Sequence, residues 1–255
     1  MTVASQLPEI APVTTENALL GGRVRLRQPA RGYRAGMDAA LLAAAVAAKP
    51  QDRLIEAGCG AGAVLTQIAA RCPSIHLTGL ERDPVAASLA RQNAELNDIA
   101  PRTSICDGDV AHGFAALKLE PFDWAISNPP FFDDPKALRE PGPGKRGAWI
   151  ADDGLESWTE FMVGAVREGG RIVVIHRADR LADILFLLGK KCGSFAIRPV
   201  QPYVDQPAKR VLVQAVRQGK APLQLLSPLI LHDRSGAKHT EEAEAILRGE
   251  RALPF

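Results

Sequence analysis

Apolar residues recur along this 255-residue chain in two alternating rhythms. Short unbroken apolar runs at 53–57, 75–80, 103–106, 124–126 and 171–176 have the length of buried strands. Between and around them apolar positions return at helical spacing, which predicts helices over 37–48, 63–71, 84–97, 155–168 and 181–191. Asp83-Pro84 supplies a cap followed by proline at the first helical position. Gly169-Gly170 reads as the stop of helix 155–168, and Cys192-Gly193 as the stop of the next. Alternation at 196–200 and 210–216, around a turn rich in proline (Pro199, Pro202, Pro207), predicts an antiparallel hairpin. An apolar strand at 229–232, a turn at Ser235-Gly236 and a helix over 240–247 complete the pattern.

The beginning of the chain is different. Residues 1–20 show no period and read as an arm, with 14–17 suited to capping a short turn. Residues 23–27 then alternate strictly, which puts Arg23, Arg25 and Arg27 on one face and Val24 and Leu26 on the other. The arginine face is either a solvated strand surface or a phosphate-contacting ribbon.

Strands that alternate with helices imply an α/β fold, a Rossmann-like, doubly wound and mostly parallel sheet. We therefore expect one domain over 21–255 after the arm at 1–20. A hydrophobic fraction of 46% supports a large core, and a net charge of +2 gives no global field toward nucleic acid. The four cysteines form no CxxC pair, and with five scattered histidines they offer neither a metal spacing nor a disulfide framework. No apolar run is long enough to span a bilayer, and residues 1–20 lack the pattern of a signal peptide. The expectation is a cytoplasmic protein, monomer or homodimer, without metal or membrane.

The candidate chemistry lies where strands end. The strand at 53–57 runs into Gly58-Cys59-Gly60-Ala61-Gly62 and then a helix, the opening of a nucleotide-binding βα unit. Its spacing is E-x-G-x-G-x-G from Glu56, not the dinucleotide G-x-G-x-x-G, which argues against an NAD-dependent dehydrogenase. Glu81 ends the next strand, where a carboxylate can accept both hydroxyls of a ribose. Asp107-Gly108-Asp109 ends the third; an acid there can accept an adenine amino group, although Asp107 and Gly108 also read as plain turn residues. The fourth strand stops at Asn128-Pro129-Pro130-Phe131, where two prolines hold the Asn carboxamide and neighbouring carbonyls rigid. Residues 133–148 follow as a long basic loop rich in proline and glycine, which reads as a substrate-ordered lid or as disorder.

This succession resembles the class I S-adenosylmethionine-dependent methyltransferases, whose seven-stranded sheet ends in an antiparallel strand pair. Asn128-Pro129-Pro130-Phe131 looks like the signature of the branch that methylates amino groups of adenine, cytosine or glutamine. The segment 32–42 is similar to one in the tRNA1(Val) adenine-N6 methyltransferase family. The resemblance implies that Glu56, Gly58, Gly60 and Gly62 hold the methionine portion of S-adenosylmethionine. It implies Glu81 at the ribose and Asp109 at the adenine, with Arg34 and Asp38 closing the pocket. Asn128 and Pro129 would grip the acceptor nitrogen, Pro130 would fix the turn, and Phe131 would stack the base. The expected acceptor is adenine N6 in RNA, with tRNA as partner. The alternatives are a protein glutamine, a small molecule, or a non-catalytic RNA-binding module on the same fold.

Overall fold

The computed structural model describes residues 13–31, 34–130, 154–234 and 236–255. A separate antiparallel ribbon pairs β1 (Thr14–Leu19) with β2 (Val24–Pro29). The main sheet holds β3 (Arg53–Ala57), β4 (His76–Glu81), β5 (Thr103–Asp107) and β6 (Phe122–Ser127). It continues with β7 (Val166–Arg177), β8 (Cys192–Gln201) and β9 (Arg210–Arg217). Six described helices accompany it: α1 (Met37–Ala44), α2 (Ala63–Arg71), α3 (Pro84–Leu96), α4 (Leu155–Ala165), α5 (Leu181–Gly189) and α6 (Glu241–Leu247).

Across the sheet the order is β5, β4, β3, β6, β7, β9, β8. These pairings are parallel except at β9, which runs against both β7 and β8. Two dipeptide strands, β10 (Gln224–Leu225) and β11 (Leu229–Ile230), follow one another along the outer side of β8 and cover its edge. The sheet is therefore the expected seven strands with two short additions. Both faces are buried. Leu41, Leu42, Leu65, Ile68 and Ile246 pack on one face against Leu54, Ile126 and Val173. Phe161, Met162, Ile184 and Leu188 pack on the other against Ile55, Ala125 and Val174. Burial on both faces is why the central strands read as unbroken apolar runs.

The structure departs from the sequence pattern at several element ends. Residues 14–19, expected as an arm and a turn cap, form β1, held by hydrogen bonds to β2 rather than by an apolar face. α1 stops at Ala44 instead of 48, because the Ala44 carbonyl accepts the Leu253 N–H at 2.8 Å from the far end of the chain. α4 ends at Ala165, and Gly169-Gly170 is not its cap. Those glycines lie in an irregular start of β7, where the register against β6 shifts between Phe122 and Trp124. Gly170 is confined there by the Asp123 carbonyl and the Val166 side chain. Cys192-Gly193 likewise opens β8.

The ribbon docks on α3 through matched periods. Four residues of helix advance about 6 Å and two residues of strand about 6.6 Å. Asn93 on α3 and Asn97 at its C-cap therefore meet Arg27 and Arg25 on β2. Asn93 accepts from the Arg27 N–H and donates to the Arg27 carbonyl, both at 2.8 Å. Asn97 does the same with Arg25 at 2.9 and 2.7 Å. The arginine face of β2 is not free: Glu16 pairs with Arg25 and Arg27, and Arg23 donates to the Gly249 carbonyl at 2.7 Å. Asn93, fully buried, has a third bond, to the Ala61 carbonyl at 2.8 Å. Asn93→Ala should lower the unfolding free energy by about 1–3 kcal/mol by leaving buried partners unsatisfied. Asn97→Ala, nearer solvent, should cost less, and urea unfolding of the two variants measures the difference.

Candidate functional site

Chain order proceeds outward from β3 through β4 to β5, then jumps to the opposite side of β3 for β6. The carboxyl ends of β3 and β6 thus flank the switch point, where open α/β sheets form their crevice. Ala57 is the register partner of Ser127. Gly58 and Asn128 are therefore the next residues out on adjacent strands, which lie about 4.8 Å apart. The buried Ser127 hydroxyl donates to the Ala57 carbonyl at 2.9 Å and ties the two ends together.

The turn after β3 is built for close approach. Gly58, Gly60 and Gly62 have φ of 67°, 54° and 79°, all in the left-handed region. The Cys59 N–H donates to the Leu80 carbonyl at 3.0 Å, and the Gly62 N–H to the Cys59 carbonyl at 2.8 Å. Cys59 settles over Gly79 of β4, where even a methyl group would collide with its Sγ. Glu81 braces the turn from the next strand. Its Oε2 accepts the Gly60 N–H at 2.8 Å, and its Oε1 accepts the Asp83 N–H at 2.9 Å. Each oxygen keeps a lone pair for a ligand hydroxyl.

Glu56 lies beneath this turn, 2% exposed, and its Oε2 has no hydrogen-bond partner. Burial pushes its carboxyl well above the ordinary value of 4.5; the neighbouring Glu81 charge raises it further, and the Leu65 N–H partly opposes both. Burial likewise pushes the Cys59 thiol up, so that it is a packing group and not a nucleophile.

Asp109 lies at the end of the β5 turn, where its Oδ1 accepts the Ala111 N–H at 3.0 Å and its Oδ2 faces Arg82 at 3.4 Å. Asp107 is paired with Arg91 at 2.6 Å. Arg34 and Asp38 take other partners. Arg34 donates to Thr15, Asn17 and the Pro29 carbonyl and so braces the ribbon. Asp38 pairs with Arg210 at the start of β9, at 2.9 Å. At the β6 end Asn128 is half-buried, Pro129 buried and Pro130 exposed. Phe131 and the loop 133–148 lie outside the described residues.

Beyond Asn128 the same edge carries paired charges. Arg177, Arg180 and Arg210 gather at the ends of β7 and β9, where Asp179, Asp183 and Asp38 pair with them. Buried His176 between them has its pKa lowered to about 4, first by burial and then by these three arginines. Two further residues join the site. Trp158, in the first turns of α4, lays its indole against Gly58. Asn93 anchors the turn from behind through Ala61. Asn93 has a faint mark, a poor helix former inside a strong helix; Trp158 reads as one more apolar position.

Residues 34–140 match the family model of the methyltransferase small domain. The tRNA1(Val) (adenine(37)-N6)-methyltransferase of Yersinia pestis is 37% identical over 106 residues, which is 41% of this chain and 42% of that protein. The match thus spans less than half the length of the curated relatives. A crystal structure from Agrobacterium tumefaciens, described as a predicted O-methyltransferase, superposes with a TM-score of 0.71 at 27% identity, covering 86% of this chain and 99% of that one. A SAM-dependent O-methyltransferase from Thermotoga maritima shares the fold at a TM-score of 0.53 and 17% identity, over 75% of this chain and 68% of its own. The chain has the class I methyltransferase fold, and no helix among the described residues is long and apolar enough to cross a membrane.

A carboxyl whose pKa is higher in the folded than in the unfolded chain contributes stability that is complete below the unfolded value and is lost as pH rises. Glu56 is such a group, with 4.5 as its ordinary value. Glu56→Gln should therefore raise the melting temperature of the ligand-free protein at neutral pH. The advantage should shrink as pH falls toward 4.5. Thermal unfolding of both proteins across pH tests the sign, and an advantage that grows in acid would refute the assignment.

Proposed function

We propose that this class I S-adenosylmethionine-dependent methyltransferase transfers its methyl group to the N6 amino nitrogen of an adenine in RNA, with transfer RNA as the substrate class. The observation that carries the reading is the adjacency of the glycine turn and the Asn128-Pro129-Pro130 turn across the β3–β6 pairing. The partial match to an adenine-N6 methyltransferase supports the choice of acceptor.

The residues on the cofactor side fit the group. Glu56 offers a buried, unpartnered carboxyl oxygen where a cationic methionine end is expected. The left-handed turn through Gly58, Gly60 and Gly62 brings the backbone close to the ligand, Glu81 has lone pairs for ribose hydroxyls, and Asp109 would take the adenine amino group. When bound, S-adenosylmethionine supplies an electrophilic methyl on a sulfonium.

The remaining work belongs to the acceptor side. An adenine amino group is planar, and its lone pair is delocalised into the ring. Asn128 Oδ1 and the Pro129 carbonyl accept its two N–H bonds, draw the nitrogen toward tetrahedral geometry and aim the lone pair at the methyl. The gain is positioning, together with dipoles matched to the positive charge that develops on nitrogen. Phe131 supplies a stacking face, typically about 1–3 kcal/mol per base. A base inside a folded RNA must first be extruded.

Asn128→Ala should leave S-adenosylmethionine affinity unchanged and lower transfer about 10²–10³-fold. Incubation with labelled cofactor and total cellular RNA or protein, followed by nucleoside analysis, reads both the acceptor and the variant's loss. Label in N6-methyladenosine supports the reading. Label in protein glutamine or a small molecule replaces the acceptor, and wild-type turnover in the variant removes Asn128 from the mechanism.

A further inference from the structure

Among the described residues Glu56 is the one buried acid. Its neighbours offer it almost nothing. Its register partners are Gly79 on β4 and Ile126 on β6, neither with a polar side chain. β4 ends in Glu81, whose charge repels it, and the turn contributes the Cys59 thiol, kept neutral by burial. α2 contributes the Leu65 N–H, the one favourable group that acts on the carboxyl. Oε2 is closed to solvent and has no hydrogen-bond partner. Glu81, one strand away, has a backbone N–H on each oxygen. A buried carboxylate beside a like charge, with one oxygen bare and no cation facing it, lowers its free energy by taking up a proton.

We infer that Glu56 is a carboxylic acid in the ligand-free protein and that binding the ammonium of the cofactor's amino-acid end expels its proton. The inference rests on the cofactor reading above. The Glu56 O–H bond breaks, its electron pair stays on the carboxylate and the proton passes to solvent. An N–H of the ligand ammonium becomes the new donor, and no covalent bond of the ligand changes. The ammonium is the positive charge that β4, the turn and α2 do not supply. Cofactor affinity is therefore coupled to pH. The form that binds is the carboxylate, and its fraction falls about tenfold for each pH unit below the pKa of the ligand-free protein, so apparent affinity falls with it. Affinity rises with pH and levels off once the ligand-free carboxyl is itself ionised.

Calorimetric titration in buffers of different ionisation enthalpy counts the protons released on binding. Between about pH 5 and 7 the ligand's α-amino group, ordinarily at about 7.7–8.0, stays charged and adds nothing to the count. The wild type should release up to one proton with S-adenosylmethionine, and as many with S-adenosylhomocysteine, which has the same ammonium. 5′-Methylthioadenosine, with the nucleoside but no ammonium, should release none. Glu56→Gln cannot ionise and should bind S-adenosylmethionine without proton release. Its affinity should stay flat over a range where that of the wild type climbs by up to about tenfold per pH unit. Should the variant not fold, the 5′-methylthioadenosine comparison decides the matter within the wild type. Binding of S-adenosylmethionine without proton release across the range, or release that Glu56→Gln retains, overturns the inference and leaves the methyltransferase reading intact. A wild type that binds neither S-adenosylmethionine nor S-adenosylhomocysteine overturns both.

Discussion

The pairing of β3 with β6 sets the separation of everything that acts at this site. Ala57 faces Ser127 in register, and the Ser127 hydroxyl spends its proton on the Ala57 carbonyl at 2.9 Å. A slip of one residue would turn every side chain of β6 to the other face, exchanging Trp124 and Ile126 with Ala125 and Ser127. Burial on both faces forbids that slip. The glycine turn and the Asn128 turn are consequently held side by side by the packing of the core, and neither depends on a loop to find the other.

Around that constraint the charges divide. Glu56, Glu81 and Asp109 stand at the ends of β3, β4 and beyond β5, on one side of the switch point. Arg177, Arg180 and Arg210, each beside an aspartate, stand on the other around His176, whose pKa is lowered to about 4 first by burial and then by these arginines. Burying Glu56 without a full set of hydrogen bonds costs stability in the ligand-free chain. Folded proteins keep such local violations chiefly where function needs them. A cationic ligand end against Glu56 would relieve the cost.

Much of this was legible before the structure. The parallel strands announced themselves because both their faces are apolar, and Gly58, Gly60, Gly62, Glu81 and Asn128 were marked by their place at strand ends. What escaped notice depends on contacts distant in sequence. β1 is a polar strand that exists through backbone pairing with β2, so no apolar period revealed it. Gly169-Gly170 looks identical as a helix stop and as a strand irregularity, and the register with β6 decides between them. Arg34 and Asp38 find their partners, Thr15, Asn17 and Arg210, in other elements that no local pattern shows. Trp158 and Gly58 are 100 positions apart, and no local pattern joins them.

On the proposed function, one crevice between the ends of β3 and β6 receives both the cofactor and the acceptor nitrogen. A crystal structure of the protein with S-adenosylhomocysteine bound tests it most directly. The expected result is the ribose hydroxyls on Glu81, the amino-acid end along Gly58 to Gly62 above Glu56, and the sulfur facing the Asn128 carboxamide across a gap the width of one methyl group and one amino nitrogen. A ligand bound elsewhere on the chain, or one whose sulfur points away from Asn128, would contradict it.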